Sequence, residues 1–108
     1  NEDDAKRVCD IFNRAGEITK SAGILWGYHN HSNEFKRVLK AGEKPDPNRK
    51  PWDKPQGTYI EELFLKNTDP SKVMFELDVY WAVMGQQDPL EWLEDYPDRF
   101  KLLHIKDR

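Results

Sequence analysis

Apolar residues recur at threes and fours through the first fifth of the chain, at Ala5, Val8, Cys9, Phe12, Ala15, Ile18 and Ala22. That spacing draws one stripe along a helix and predicts a helix over residues 3 to 22. The acidic opening NEDD, Lys20 in the last turn and Gly23 just beyond agree with the helix dipole and the usual stop signals. The period then changes. "ILWGYHN" is a short apolar and aromatic run with no helical repeat, which predicts a buried strand. Residues 40 to 57 hold four of the seven prolines, two glycines and many charges, a composition that predicts a long surface loop. Loops of that length inside a domain more often serve as lids or binding loops than as filler, and Trp52 is the residue such a lid presents.

"TYIEELFLKN" resumes a helical period, with Thr58 spaced to cap it and Glu61 three places on to complete a capping box. "DPSK" reads as a turn, and "VMFELDVYW" as a second strand rich in β-branched and aromatic residues. "DPLEWLEDYPDR" is a short helix that Asp88 caps with Pro89 at its first position, and "FKLLHIKD" closes as a third strand. Helix and strand alternate throughout, the order of parallel βαβ units with right-handed crossovers, so the fold class is α/β.

Composition narrows the picture. With 108 residues there is room for one domain at most, and a core of that size buries roughly two thirds of the unfolded surface. Only 37% of residues are hydrophobic while 34% are charged, a thin supply for a self-sufficient core. The net charge of -3, with both signs well mixed, offers no basic stripe to a phosphate backbone, so no nucleic-acid partner is expected. The single Cys9 lies on the helix stripe, where a thiol behaves as a small hydrophobe, which excludes a disulfide framework or a cysteine zinc site. No stretch approaches the roughly 20 apolar residues of a membrane span, and the polar opening is unlike a signal peptide. No membrane partner is expected, and no compartment is assigned.

In closed α/β barrels reacting groups gather where strands end, and these three strands end in "YHNH", "ELDVYW" and "HIKD". Alternate side chains share a face of a strand, which pairs Glu76 with Asp78, His104 with Lys106, and His29 with His31. A carboxylate with one or two neutral imidazoles suits a divalent metal such as Mn²⁺, Co²⁺, Mg²⁺ or Zn²⁺. A nearby lysine would stabilise an enolate or bind a hydroxyl or phosphate. Plainer roles exist for each residue. Asp78 can cap a turn or helix, His104 can be a core histidine bonded to a carbonyl, His29 and His31 can sit on a solvated edge, and Glu34 can make surface contacts. Tyr80 and Trp81 pack by default, as aromatic residues do.

"GILWGYHNHSNEF", "VMFELDVYWAVMGQQDPLEWL" and "YPDRFKLLHIKDR" together resemble the sugar phosphate isomerase/epimerase family, the xylose isomerase-like barrels related to endonuclease IV. The resemblance runs from about Ala5 to the last residue, with residues 40 to 57 least typical, and three separated strand ends agree in order and spacing. It implies that residues 1 to 108 are a fragment of a (β/α)₈ TIM barrel, about three parallel strands with flanking helices, at roughly the fifth to seventh strands. In that family a divalent cation is held by a Glu, an Asp, a His and a second Glu. The resemblance makes Asp78 the aspartate ligand and His104 the histidine ligand. His29 stands where the family's first glutamate is usual, as a substitute ligand or an acid/base group. His31, Glu34, Glu76, Trp81 and Lys106 then face substrate, with Trp81 where many relatives carry a histidine. Nothing in this sequence supplies the second glutamate.

The function so implied is metal-dependent isomerisation or epimerisation of a sugar or sugar phosphate by proton transfer through an enediolate. Elimination by a keto-sugar lyase or dehydratase on the same barrel is the alternative, and a non-catalytic sugar-binding barrel a third possibility. Phosphodiester cleavage is disfavoured, because the zinc cluster of the endonuclease relatives needs more than the three histidines present. The expected partner is a small carbohydrate. Three parallel strands leave two bare edges and an uncovered face, so the chain is expected to be a piece of a larger polypeptide, inactive alone and apt to meet the remainder of a barrel or another copy.

Overall fold

The computed structural model describes residues 1–105. Helix α1 spans Glu2–Ser21, and its first turn is closed by Asn1, whose side chain accepts from the Asp4 amide at 3.1 Å. It stops at Ala22 and Gly23, whose φ of 76° lies in the left-handed region that costs glycine little. Of the apolar stripe, Ala5 and Cys9 are fully inside, whereas Ile18 remains 64% exposed. The close approach falls instead at Gly16, where a Cβ would stand 2.1 Å from the Lys72 carbonyl oxygen. Only glycine allows α1 to lie this near the strand it covers.

Strand β1 (Trp26–His29) is followed by a 3₁₀ turn at Asn33–Phe35 and a short ribbon, β2 (Arg37–Val38) paired antiparallel to β3 (Thr58–Tyr59). The expected loop is thus closed at its base by the ribbon. Trp52 is 77% exposed within it. Helix α2 is Ile60–Asn67, so Thr58 does not cap it; Thr58 lies in β3, and Tyr59 precedes the helix without a side-chain cap. Strand pairing with Val38 claims the residue that local spacing assigned to a helix end. Strand β4 (Val73–Asp78) stops earlier than "VMFELDVYW" suggested, because Val79–Met84 winds directly into α3, capped by Asp78. Helix α4 (Pro89–Asp95) begins as expected, Asp88 accepting from the Leu90 amide at 2.9 Å with Pro89 in the first turn. Strand β5 is Phe100–His104.

The three longer strands form a parallel sheet in the order β1-β4-β5. Val73, Phe75 and Leu77 of the central strand are at most 1% exposed and face α1 and α2. Burying each contributes roughly 2 kcal/mol. Phe12 of α1 joins them through its ring contacts with Trp26, Tyr28 and Phe64, at 4.8, 5.1 and 5.3 Å. Arg99 fastens the start of β5 to the end of α2, donating to the Leu65 carbonyl and, at 2.7 Å, to the Thr68 hydroxyl.

The other sheet face carries Gly27, His29, Met74, Glu76, Asp78, Leu102 and His104, and no helix among the described residues lies over it. Leu102 is 52% exposed. Ile24, Leu25 and Ile105 beyond the strands are 60% to 76% exposed. Together these describe a segment of a (β/α)₈ barrel, with the helix side packed over β1 and β4 but still open at Leu103 of β5, 47% exposed, and the side that would face the barrel axis open. Among the described residues no helix is long and apolar enough to cross a membrane.

Candidate metal centre at the strand ends

Parallel pairing brings all three strand ends to one edge of the sheet. In β1 and β4 the register sets His29 opposite Glu76. In β5 one extra residue intervenes: Phe100 pairs with Phe75, but Leu102 pairs with Glu76, so Lys101 bulges. In an unbroken strand Phe100 and His104 would share a face. The bulge lets Phe100 pack in the core, its ring 6.2 Å from that of Phe75, while turning His104 to the opposite face, opposite Asp78.

Asp78 is wholly buried at the meeting point. Its Oδ2 lies 2.7 Å from His29 Nε2 and 3.2 Å from His104 Nδ1, and the two ring nitrogens are 3.3 Å apart. Its Oδ1 accepts the Trp81 amide of α3 at 3.1 Å, so the capping role and the site role belong to the two oxygens of one carboxylate. The Asp78 amide in turn donates to Asn30 Oδ1 at 2.9 Å, while Asn30 Nδ2 donates to the His31 carbonyl at 3.1 Å. Asn30, also wholly buried, therefore ties the end of β1 to the end of β4.

The other expected site residues surround this triangle at different depths. Glu76 Oε2 is 3.9 Å from His29 Nδ1, too long for a direct hydrogen bond, so the 2.7 Å contact between His29 Nε2 and Asp78 Oδ2 is the one that holds the ring. The exposed His31 ring sits 5.3 Å from the His29 ring and 5.5 Å from Trp81, forming an outer wall. Glu34 is buried and spends both oxygens on scaffolding, accepting from the Tyr28 hydroxyl and, at 3.1 Å, from the His31 amide. Burial and the Glu34 carboxylate push the Tyr28 phenol above its ordinary value, which keeps it a donor. Lys106 lies outside the described residues. Sequence reasoning passed over Asn30 and Tyr28. The available signal was a side chain with both donor and acceptor between two histidines, at the end of an otherwise apolar strand.

The donor set fits a divalent cation. One ligand atom each from His29, Asp78 and His104 lies within 4.8 Å of the others, and their separations approach the edges, about 3 Å, of a coordination polyhedron with metal bonds of about 2.1 Å. Two imidazoles and one carboxylate would hold such an ion and would leave it able to take substrate oxygens as well.

The chain is 85% identical over its full length to part of a crystal structure of a sugar phosphate isomerase/epimerase from Parabacteroides distasonis ATCC 8503, with a TM-score of 0.95, and it spans 37% of that chain. A second sugar phosphate isomerase/epimerase structure from the same organism matches at 52% identity and a TM-score of 0.84, with 36% of its length spanned. The chain is also 28% identical over 100 residues to an inosose dehydratase of Geobacillus kaustophilus (strain HTA426), covering 93% of this chain and 26% of that protein. No family model matches it. It thus spans between about a quarter and somewhat over a third of the length of these relatives. The barrel segment and the open strand ends agree with these likenesses, and the chain is similar throughout its length to one part of these sugar phosphate isomerase/epimerase structures.

Proposed function

We propose that this segment carries the metal-binding strand ends of an enzyme that isomerises or epimerises a sugar or sugar phosphate. The observation that carries the reading is the meeting of His29, Asp78 and His104 at a single point on the open face of the sheet. A divalent cation bound there supplies Lewis acidity to a carbonyl and its adjacent hydroxyl, which acidifies the intervening C–H. Asp78 brings the charge that retains the cation, and the caps and hydrogen bonds around it fix its two oxygens before substrate arrives. His29 serves as a ligand whose ring is held by Asp78. His31, exposed and backed by Trp81, is placed to exchange a proton with substrate, and its main chain is held by Glu34 and Asn30. In the reaction a C–H bond next to the carbonyl breaks and its proton passes to a base. The pair left behind forms an enediolate, which takes the proton back on the neighbouring carbon or on the opposite face.

Likeness to an inosose dehydratase favours a second reading, elimination of water from a keto-sugar. Its first step is the same C–H cleavage, but the electron pair then expels a β-hydroxyl instead of being reprotonated. Both readings are tested by incubating the whole protein with Mn²⁺ and a panel of sugars, sugar phosphates and keto-sugars in D₂O. Deuterium entering a product of unchanged composition supports isomerisation, and loss of one water per turnover supports the dehydratase. No exchange and no loss with any member, alongside measurable sugar binding, would leave a non-catalytic barrel. The expected partner is a small carbohydrate, seated on the face that the rest of the barrel encloses.

A further inference from the structure

Glu61 stands in the first turn of α2, has no exposed surface, and neither of its carboxyl oxygens has a hydrogen-bond partner among the described residues. Its helix packs on the 3₁₀ turn that carries Glu34, a second buried carboxyl. The two differ in what they are given. Glu34 receives the Tyr28 hydroxyl and the His31 amide, while Glu61 receives no donor among the described residues. A buried charge without a partner is far costlier than the neutral acid, so Glu61 keeps its proton.

We infer that Glu61 is a positioning residue for the strand-end site: as a neutral acid behind Glu34 it leaves Glu34 as the single charge beneath the His29–Asn30–His31 turn, free to hold Tyr28 and the His31 main chain. The inference rests on the proposed function only in taking that turn to be part of the working site. Burial, with the Glu34 charge second, raises the Glu61 carboxyl to about 8. The other titrating groups on packed elements stay uncharged or are committed elsewhere. Cys9 on α1 donates to the Leu63 carbonyl and is pushed up to about 11 by burial. Asp4 at the start of α1 pairs with Arg7, Tyr28 on β1 is raised, and Tyr59 on β3 lies under the Arg37 guanidinium. When Glu61 ionises, a second negative charge enters the interior close enough to feel that of Glu34. The strain is relieved by Glu34 giving up the His31 amide or by the turn drawing away from α2, and either loosens the outer wall of the site.

The test uses the whole protein and Glu61→Gln, which keeps the shape and cannot ionise. Difference infrared spectra at neutral pH should show a protonated carboxyl in the wild type that is absent from the variant and that disappears as pH passes about 8. Mn²⁺ affinity in the wild type should weaken about tenfold across the same range, as expected when an outer partner of a metal site is lost. The Glu61→Gln affinity should not follow it. A variant profile that tracks the wild type, or no protonated carboxyl in the wild type, overturns the inference. Should no Mn²⁺ bind at any pH, the metal reading falls, and the nuclear magnetic resonance signal of the His31 amide decides instead. It must shift with the Glu61 titration in the wild type and hold still in the variant. If the variant does not fold, the wild-type infrared and amide titrations decide alone, and failure of the two to coincide overturns the inference.

Discussion

The sharpest perturbation divides the two jobs of Asp78. Its Oδ1 caps α3 through the Trp81 amide at 3.1 Å, and its Oδ2 faces His29 at 2.7 Å and His104 at 3.2 Å. Asp78→Asn retains an acceptor for the cap but turns an amide NH₂ toward the imidazoles. There it donates to a nitrogen lone pair that a cation needs and contributes no charge. Asp78→Ala removes both functions. A lost cap costs about 1 kcal/mol, and leaving the buried partners of a carboxylate unsatisfied costs roughly 1–3 kcal/mol more. The Asn variant should therefore unfold within about 1 kcal/mol of wild type in urea with chelator present, and the Ala variant about 3 kcal/mol below it. Both should lose at least about 100-fold in Mn²⁺ affinity by titration calorimetry, which corresponds to roughly 2.7 kcal/mol of binding free energy. Added Mn²⁺ should raise the melting temperature of the wild type alone. An Asn variant that binds Mn²⁺ within about twofold of wild type would refute the reasoning, since among the described residues no other buried charge sits at the meeting point of the strands.

The Glu61 carboxyl, raised from 4.5 to about 8, makes stability depend on pH in a definite direction. The folded protein keeps a proton that the unfolded chain has released, so stability is fully present below the unfolded value and falls as pH climbs toward the folded one, by about 1.4 kcal/mol per unit. Urea unfolding of Glu61→Gln across that range should lack this slope, and an unchanged slope would assign it elsewhere. Asn30→Ala removes the acceptor for the Asp78 amide and the donor to the His31 carbonyl. It should cost about 2 kcal/mol in unfolding experiments and weaken Mn²⁺ binding between about 10- and 100-fold. Gly16→Ala drives a methyl to 2.1 Å from the Lys72 carbonyl oxygen, so α1 must move off β4, and a loss of about 2 kcal/mol in urea unfolding is expected.

Periodicity alone determined much of this molecule. The threes and fours over residues 3 to 22 placed α1, the Asp88-Pro89 pair marked the start of α4, and the apolar runs located three strands whose ends hold the chemistry. These features are local, since a helix repeat or a cap is written within a few residues of where it acts. Pairing and burial are settled between distant segments, and there the sequence was silent. Thr58 looked like a cap until Val38 claimed it for a ribbon. "VMFELDVYW" read as one strand, yet Asp78 stops it by capping the helix that follows. Asn30, Glu34 and Glu61 differ little from surface residues in one dimension, and only packing reveals two as braces of the histidine turn and the third as a buried acid. His104 shows the division most plainly. Its residue type suggested a ligand, but an unbroken strand would have put it on the face of Phe100, and the single extra residue at Lys101 brought it to Asp78 instead. A bulge is a property of two paired strands, so the face a side chain takes beyond it is decided only once those strands have met.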